Sequence, residues 1–517
     1  MNKAVRKVVI VGGGTAGWLT AAILAAEHKS KNDDGVEITL IESANTPTIG
    51  VGEGTWPTMR ETLSSIGIKE ADFFACCDAA FKQGSKFSGW RNELDTEGYY
   101  HPFVAPVGFG ESDLVNYWQN NIGSQSFADA LSFQPSLCEH YLAPKQFQTP
   151  EYAAVANYGY HLDAGKFAKL LEQHSTSVLG VKHIIADVVL VANNERKAIH
   201  SLTLDSGELV AGDLFVDCSG SKALLIGEHY KIPFLGQKHV LFNDRALAVQ
   251  VPHVQENSEI LPYTLSTAHD AGWIWDIGLP NRRGVGCVYA SDFFSSEQAK
   301  DELLKYLSKT VEQPILHSLT IKELAFEPGY RQEFWHQNCV AVGMSAGFIE
   351  PLEASAIALI ELSAKMIAKE LPANHSIMPI TAARFNKRFK YRWQRIIEFL
   401  KLHYVLSERQ SNYWQKNRSE NTIPGRLAEL LTLWQYQEPT YNDFTEIEEI
   451  FPAASYQYIL YGMGFKTANR ITSRRYNNEN VSRDNVALCQ QLKNKYKAGL
   501  PTHRALIDYL SSRSSFK

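Results

Sequence analysis

The 517-residue sequence lacks several features that would place it in a specialised class of protein. Its seven cysteines form no C-x-x-C pair, which argues against a disulfide framework and against a zinc site. It has no run of about 18 consecutive apolar residues, so no membrane span is expected. Its 51 basic and 56 acidic residues leave a net charge of −5, which disfavours nucleic acid as a partner. These absences predict a reduced, cytoplasmic protein with no metal site.

The sequence has instead the composition of an ordinary globular protein. Hydrophobic residues make up 44% and charged residues 21%, so a packed core is expected. The basic N-terminus followed by the apolar run at 8–11 imitates a signal peptide. Three glycines at 12–14 interrupt that run at once, whereas a secretory segment would continue as a helix. We interpret residues 8–11 as a buried strand that ends in a glycine turn.

The first 45 residues have the pattern of a βαβ unit. Residues 8–11 and 36–41 are rich in β-branched residues, and residues 18–27 between them are rich in helix formers. Residues 12–17 (GGGTAG) satisfy G-x-G-x-x-G, a pattern whose glycines let the backbone approach a pyrophosphate at a helix N-terminus. Glu42, at the end of the second strand, can accept hydrogen bonds from ribose hydroxyls. The predicted dinucleotide site therefore consists of Gly12, Gly13, Gly14, Thr15, Ala16, Gly17 and Glu42.

The glycine motif alone leaves NAD and FAD as alternatives, and a purely structural glycine turn as a third. Two later segments, D-C-S-G at 217–220 and G-M-S-A-G at 343–347, follow apolar runs and favour FAD. FAD is long enough to need a second contact near a late helix N-terminus. Further on, residues 384–395 mix basic and aromatic side chains, which raises nucleic-acid binding as an alternative. The apolar residues there recur every four positions, so we predict an amphipathic helix packed on the body through Phe385, Phe389, Trp393 and Ile397.

Three further segments resemble those of the flavin-dependent tryptophan halogenases: residues 50–55 (GVGEGT), 272–277 (GWIWDI) and 348–353 (FIEPLE). With the opening GGGTAGW they resemble a family whose characteristic segment is G-W-x-W-x-I-P, and Gly278 stands here at the proline position. The resemblance runs from residue 3 to about 465. It implies an α/β (α+β) fold, in which residues 1–375 form an FAD-binding body with a substrate-side insert at about 56–155. Residues 376–517 would form a mainly helical part that completes the substrate pocket.

The resemblance also implies the chemistry. Reduced FAD, supplied by a separate flavin reductase, and O2 would convert chloride or bromide to hypohalous acid, which passes through a tunnel lined by Trp273 and Trp275. Lys82 would hold the halogen, either as a hydrogen-bonded acid or as an N-haloamine. Glu353 would stabilise the cationic ring of an aromatic substrate and remove its proton. Lys86, four residues after Lys82, would face the same way if this stretch were a helix.

Three further groups of residues follow from the same resemblance. Ser355 and Ala356 would contact halide, where the family has Thr-Gly. Further FAD contacts would come from Gly54, Val188, Met344 and Ile357. The substrate pocket would contain His101, Phe103, His403, Glu446 and Phe451.

The substrate pocket departs from the family pattern. Pro439 and Thr440 stand where the family has a tyrosine pair, and Phe451 stands where it has tryptophan. A site built to hydrogen-bond its substrate loses affinity when those groups are absent, so free L-tryptophan is disfavoured against another indole or a phenol. Ala356 adds a methyl group beside the expected halide, which favours bromide over chloride. The alternatives are an aromatic hydroxylase and a flavin-binding protein without halogenation; the resemblance also allows a homodimer.

Overall fold

The structure is a computed structural model that describes residues 4–45, 52–95, 97–255, 257–444, 446, 449–468 and 479–515. Gly50 and Val51 of the GVGEGT segment lie outside the described residues. The strands are β1 (Lys7–Val11), β2 (Glu37–Glu42), β3 (Gly52–Gly54), β4 (Ala80–Lys82), β5 (Gly84–Ser88), β6 (Tyr99–Pro102), β7 (Gly159–Asp163), β8 (Lys182–Ile185), β9 (Val188–Asn193), β10 (Ile199–Leu204), β11 (Leu209–Ala211), β12 (Leu214–Asp217), β13 (Phe234–Gly236), β14 (Arg245–Pro252), β15 (Thr264–His269), β16 (Gly272–Gly278), β17 (Arg282–Tyr289), β18 (Lys322–Ala325), β19 (Gly329–Arg331), β20 (Trp335–His336), β21 (Cys339–Ala341) and β22 (Gly347–Phe348).

The helices are more frequent toward the C-terminus. They are α1 (Thr15–Glu27), α2 (Met59–Ser65), α3 (Glu70–Cys77), α4 (Leu114–Asn121), α5 (Phe127–Leu131), α6 (Gln134–Glu139), α7 (Ala164–Ser177), α8 (Ser296–Leu307), α9 (Gln313–Ser318), α10 (Ser355–Lys369), α11 (Met378–Val405), α12 (Asn412–Asn417), α13 (Gly425–Trp434), α14 (Ala453–Gly462), α15 (Glu479–Gly499) and α16 (His503–Ser512). Short 3₁₀ turns span Gly220–Lys222, Gly343–Ser345, Leu352–Ala354, Glu420–Thr422 and Tyr441–Asp443, and a π-helical turn spans Leu224–His229.

The predicted βαβ unit forms the centre of a six-stranded sheet with the order β20-β21-β12-β1-β2-β8. β1 pairs in parallel with β2 and β12, and β12 pairs in parallel with β21. The carboxyl ends of these parallel strands meet at one edge of the sheet. The turns that follow β1, β12 and β21 therefore come together, which brings the three predicted FAD segments to one place.

A second sheet of seven strands has the order β18-β14-β17-β16-β15-β5-β6. β16 carries the W-x-W segment, and its neighbours on either side are β17 and β15. β5 joins β15 in parallel, and β4, which ends in Lys82, belongs to a separate sheet of order β3-β7-β4. The single residue between β4 and β5, Gln83, thus connects the sheet that carries Lys82 with the sheet that carries the tryptophans.

The C-terminal helices pack on this body as the apolar spacing predicts. α11 buries the predicted face, since Phe385, Phe389, Trp393 and Ile397 are all buried. No helix in the described part of the chain has the length and apolarity needed to cross a bilayer. The division of the chain at residue 375 stays a prediction.

Candidate functional site: two connected cavities

A cavity of about 600 Å³ opens at the carboxyl edge of the six-stranded sheet. α1 begins here without a side-chain cap, and Gly14 is its N-cap residue. The first N–H groups of a helix have no acceptor within the helix and carry its positive dipole end, so they are available to a phosphate. The predicted residues that line this cavity are Gly12, Gly13, Gly14, Thr15, Ala16, Glu42, Val188, Met344, Ser355 and Ala356.

The glycines of the loop are required by its surroundings. Gly12 has a φ of +119°, and a Cβ there would lie 2.2 Å from the carbonyl oxygen of Cys218. A Cβ on Gly13 would lie 1.5 Å from Glu42 Oε2, so glycine makes room for that carboxylate. Gly17 is buried away from the cavity, and its missing side chain lets α1 pack against the Gly12 carbonyl. The motif therefore serves both the cavity and the packing of α1 on β1.

Glu42 reaches over the glycine loop and is held from its other side. His183 Nε2, on β8, lies 2.6 Å from Glu42 Oε1, and Trp18 packs edge-on against the His183 ring. The carboxylate thus lies at the cavity wall with one oxygen paired and the other over Gly13. This placement suits an acceptor for ribose hydroxyls.

The two later segments complete the same cavity. Cys218, Ser219 and Gly220 line it on one side, and Gly343 and Gly347 line it on the other. Asp217 organises the first of these turns: its side chain accepts hydrogen bonds from the Ser219 hydroxyl and from the N–H groups of Leu225 and Ile226. The preference for FAD over NAD therefore agrees with where these segments lie.

The N-terminus of α10 also faces this cavity. Its N-cap residue, Ala354, makes no side-chain capping bond, so the first N–H groups of the helix, beginning with those of Ser355 and Ala356, lack a partner in the helix. Ala356 is exposed into the cavity while Ser355 is buried beside it. An uncapped helix N-terminus is a site for a small anion such as a halide.

A second cavity of about 230 Å³ adjoins the first. The two share Glu53, Met344, Phe348 and Ala356 as lining residues, so these side chains form the junction. Burial, reinforced by the charge of Asp163, raises the pKa of Glu53 to about 7. The second cavity contains Lys82 and Glu353 and is called the Lys82 cavity below.

The W-x-W tryptophans form one wall of the Lys82 cavity. Trp273 and Trp275 alternate along β16, so both face the same side, with ring centroids 6.3 Å apart. Trp273 Nε1 donates to Glu350 Oε2 at 2.8 Å, which fixes its indole. The Trp275 ring lies across Gly286 of β17, where a Cβ would lie 2.1 Å from the ring. Both indoles are therefore held in place by residues behind them.

Lys82 is 1% exposed and its side chain ends inside the cavity. In the part of the chain that the structure describes, no acceptor lies within hydrogen-bonding distance of its Nζ. The Phe103 ring centroid is 5.6 Å away, and a Cβ on Gly54 would lie 3.2 Å from Nζ. Burial lowers the pKa of Lys82 to about 8, against the opposing effect of the Glu353 charge. Lys82 is thus a buried amine with donors left over for a ligand.

The expectation that Lys86 faces the same way as Lys82 is wrong. The stretch is two strands, not a helix, and it bends at Gly84, which has a φ of +149°. Lys86 lies outside the cavity, where it pairs with Glu139 and lies 5.1 Å from the Tyr100 ring centroid. The strand break separates the two lysines.

Glu353 lies in a turn of unusual backbone conformation. Its φ is +62° and that of Ala354 is +54°, so two consecutive residues other than glycine occupy the left-handed region. Such strain persists only where the surroundings hold it, and it clusters at functional sites. The indole N–H of Trp56 donates to the Glu353 carbonyl at 2.8 Å. This turn directs the carboxylate into the cavity while α10 begins directly behind it.

Two histidines surround the Glu353 carboxylate. His101 Nδ1 lies 2.8 Å from Oε1, and His403 Nε2 lies 3.4 Å from the same oxygen. Burial alone would raise the pKa of Glu353, but the charge and the hydrogen bond of His101, with the nearby ring of His403, hold it well below its usual range. Ser455 Oγ lies 2.9 Å from His101 Nε2 and fixes the ring from behind. The carboxylate is therefore ionised and oriented.

The remaining predicted residues lie in three different places. Gly54 and Ile357, predicted as FAD contacts, line the Lys82 cavity and not the first cavity. Phe451 stacks on Phe399 with centroids 3.7 Å apart, beside the two histidines. Glu446 is exposed, apart from this buried group.

Other residues of the site had no role assigned from the sequence. Glu53 belongs to a quoted motif, and its apolar surroundings become visible only in the fold. Trp56, His161, Thr264 and Ser455 belong to no motif, and pairings between distant segments bring them to the site. No signal in the sequence identifies these four.

Comparison with known proteins gives one consistent result. The family model for tryptophan halogenase matches residues 7–475. The 7-chloro-L-tryptophan 6-halogenase KtzR of Kutzneria sp. (strain 744) is 34% identical over 482 residues, covering 88% of this chain and 90% of that protein. The crystal structure of a tryptophan halogenase from Shewanella frigidimarina NCIMB 400 has a TM-score of 0.94 and 47% identity, covering 99% of this chain and 98% of that one. Tar14, a tryptophan C-6 flavin-dependent halogenase from taromycin biosynthesis, has a TM-score of 0.90 and 32% identity, covering 98% and 99%.

Proposed function

The chain belongs to the tryptophan halogenase family and is a flavin-dependent halogenase of indole substrates, and we propose that Lys82 and Glu353 transfer the halogen at a distance from the flavin. The observation that carries the proposal is the pair of adjoining cavities. One has the glycine loop and two uncapped helix N-termini, and the other has the buried lysine and carboxylate.

The first cavity, which contains the glycine loop and is called the flavin cavity below, fits FAD. Its glycine loop leaves room for backbone contact, the α1 N-terminus offers N–H groups to the pyrophosphate, and Glu42 offers a carboxylate to the ribose. Reduced FAD, when bound there, would together with O2 provide the oxidising power that converts halide to hypohalous acid. The α10 N-terminus beside Ala356 would hold the halide.

A separate flavin reductase would supply the reduced cofactor. The sequence contains one G-x-G-x-x-G segment, and that segment is already assigned to FAD. A nicotinamide cofactor would need a second site of this kind. Addition of NADH to this protein alone is therefore expected to leave its flavin oxidised, and rapid reduction would contradict the proposal.

Lys82 would hold the hypohalous acid beside the substrate. At neutral pH a lysine of pKa about 8 is mostly an ammonium, which donates hydrogen bonds but accepts none. Donation to the oxygen of the acid makes its halogen more electrophilic. The cavity also keeps this charge out of bulk water, which strengthens its effect.

Glu353 would act on the substrate ring. Its ionised carboxylate stabilises the positive charge that develops on the ring during attack, and it then accepts the ring proton. His101 and His403 would hold the carboxylate and share the proton afterwards.

The preferred substrate would be an indole without the charged groups of an amino acid. Pro439 and Thr440 replace the tyrosine pair expected for binding free tryptophan. Phe399 and Phe451 stack beside the two histidines and Phe103 lies 5.6 Å from Lys82 Nζ, so these surroundings are apolar and aromatic, which suits a neutral ring. Competition between indole and L-tryptophan should favour indole.

Hydroxylation is the competing reaction, and it would need the substrate ring at the flavin. Trp273 and Trp275 are held at the wall of the Lys82 cavity by the residues behind them, and Met344 and Phe348 line its junction with the flavin cavity. A passage of this kind admits a small acid more readily than an indole.

The test compares Lys82→Ala with Lys86→Ala, a matched change at the lysine outside the cavity. With reduced FAD, O2 and bromide, the yield of brominated indole from Lys82→Ala should be at least about 100-fold lower than that from wild type, while the variant still consumes oxygen. Lys86→Ala should give wild-type yields. Near wild-type bromination by Lys82→Ala would remove the role from this lysine.

A further inference from the structure

Three hydroxyl side chains lie on one wall of the Lys82 cavity. They are Ser85 on β5 and Thr264 and Ser266 on β15. In the seven-stranded sheet, β15 lies between β5 and β16, which carries the tryptophans. Ser266 pairs with Trp275, and Thr264 pairs with Ser85. The hydroxyls therefore follow one another from the tryptophans toward β5, which begins two residues after Lys82.

The surroundings of these hydroxyls are apolar. Apart from Lys82, Glu53 and Glu353, the other described residues that line the cavity are glycine, proline or apolar side chains. A small neutral acid that enters such a passage loses its hydrogen bonds to water. A hydroxyl group both donates and accepts, so it can replace water on either end of the acid.

The Thr264 hydroxyl is oriented by a buried histidine. His161 Nε2 lies 2.8 Å from Thr264 Oγ1, and His161 Nδ1 has no hydrogen-bond partner among the residues that the structure describes. Burial, with the nearby charge of Lys82, lowers the pKa of His161 well below its usual value, so the ring is neutral. A buried N–H without an acceptor is rarer than an acceptor without a donor, which places the hydrogen on Nε2. Thr264 accepts that hydrogen and keeps its own to donate into the cavity.

The three hydroxyl groups also suit contact with a reactive acid. Among the described residues that line the Lys82 cavity there is no cysteine, and the one sulfur-containing side chain is that of Met344 at the junction. Thiols are consumed rapidly by oxidants. Alcohols react with hypohalous acid far more slowly, so hydroxyls can contact it in every turnover and remain intact.

We propose that Ser266, Thr264 and Ser85 bind hypohalous acid in turn and carry it from the tryptophans to Lys82. His161 is a positioning residue that keeps Thr264 in its donating orientation. The step rests on the proposed function, because it needs acid made at the flavin cavity. It makes and breaks no covalent bond: each hydroxyl donates to the oxygen of the acid or accepts from its O–H.

The experiment removes the central hydroxyl while keeping the shape of the side chain. Thr264→Val removes it, Thr264→Ser keeps it, and Thr267→Val makes the same change on the opposite face of β15. Two quantities are measured with reduced FAD, O2 and bromide: brominated indole per oxygen consumed, and acid that escapes and is trapped by monochlorodimedone. Thermal unfolding checks that each variant is folded.

Thr264→Val should lower the yield per oxygen about five- to tenfold, the effect of one lost hydrogen bond, and should raise the escaped acid. Thr264→Ser and Thr267→Val should behave as wild type. Ser266→Ala should likewise lower the yield per oxygen and raise the escaped acid. It takes the place of Thr264→Val in the test if that variant does not fold.

Two results overturn the proposal while the proposed function stands. One is an unchanged yield in both Thr264→Val and Ser266→Ala, and the other is an equal loss in Thr264→Val and Thr264→Ser. A wild-type protein that brominates no aromatic substrate under these conditions would instead contradict the proposed function, and the proposal with it.

Discussion

The flavin cavity takes its walls mainly from turns that follow parallel strands, whereas the Lys82 cavity takes its walls from strands of three sheets and the turn before α10. In the first, the chemistry comes mainly from backbone N–H groups, and glycines give access to them. In the second, it comes from side chains whose charge is set by burial and by neighbours far away in sequence. Disturbing the first should affect every reaction of the protein, and disturbing the second should affect halogen transfer alone.

The largest effect is expected from Glu353→Gln, which removes the carboxylate and keeps its shape. Brominated product should fall by about 10²- to 10³-fold, because both charge stabilisation and proton removal are lost. Oxygen consumption should stay near wild type, since Glu353 belongs to the Lys82 cavity. Glu429→Gln, at an exposed glutamate, serves as the control. A parallel fall in oxygen consumption would break the distinction between the two cavities.

Gly12→Ala should show the opposite pattern. Its φ of +119° and the 2.2 Å approach to the Cys218 carbonyl make alanine strained there by about 1–3 kcal/mol. FAD binding, followed by fluorescence titration, should weaken about ten- to a hundredfold, and bromination and oxygen consumption should fall together. Gly425→Ala has open space around it and should change neither. Unchanged FAD binding in Gly12→Ala would show that the loop is not the cofactor site.

The pH dependence of halogen transfer should report the charge of Lys82. Its pKa is about 8, so the ammonium is present below that pH and is lost above it. If the ammonium is the active form, the yield per oxygen stays level below pH 8 and falls up to about tenfold per pH unit above it. The reaction of free hypobromous acid with indole, measured at each pH, corrects for ionisation of the acid itself. A yield that rises from pH 7 to 9 would favour an N-haloamine.

The smallest effect concerns the halide. Ala356→Gly removes the methyl group at the junction of the two cavities and opens the α10 N-terminus to a closer anion. A helix N-terminus stabilises an anion by about 0.3–1 kcal/mol, so the bromide-to-chloride product ratio should fall about two- to fivefold. Wild type should favour bromide at equal concentrations. Preferred chlorination by wild type would mean that other groups complete the halide site.

The sequence predicted the βαβ unit beside the flavin cavity because its determinants are local. The strands around residues 8–11 and 36–41 and the helix between them appear as β1, β2 and α1. The apolar face of α11 is also confirmed. Each of these depends on spacing within one segment.

The Lys82 cavity could not be predicted in the same way. Thr264 meets His161 and Ser85 only because β15 pairs with β5 and contacts the sheet of β7. The left-handed turn at Glu353 and Ala354 has no glycine to signal it. Lys86 does not face the same way as Lys82 because the stretch forms two strands and not a helix, and the bend at Gly84 depends on the pairing of both strands.

The most direct test of the two-cavity account asks where the halogen goes when Lys82 is missing. In a single turnover with reduced FAD, O2 and bromide, wild type and Lys82→Ala are compared for brominated indole and for hypobromous acid trapped in solution. The account predicts that Lys82→Ala makes as much oxidised bromine as wild type but releases it to the trap, with no brominated indole. Brominated indole at the wild-type yield, or a variant that no longer oxidises bromide, would contradict the account.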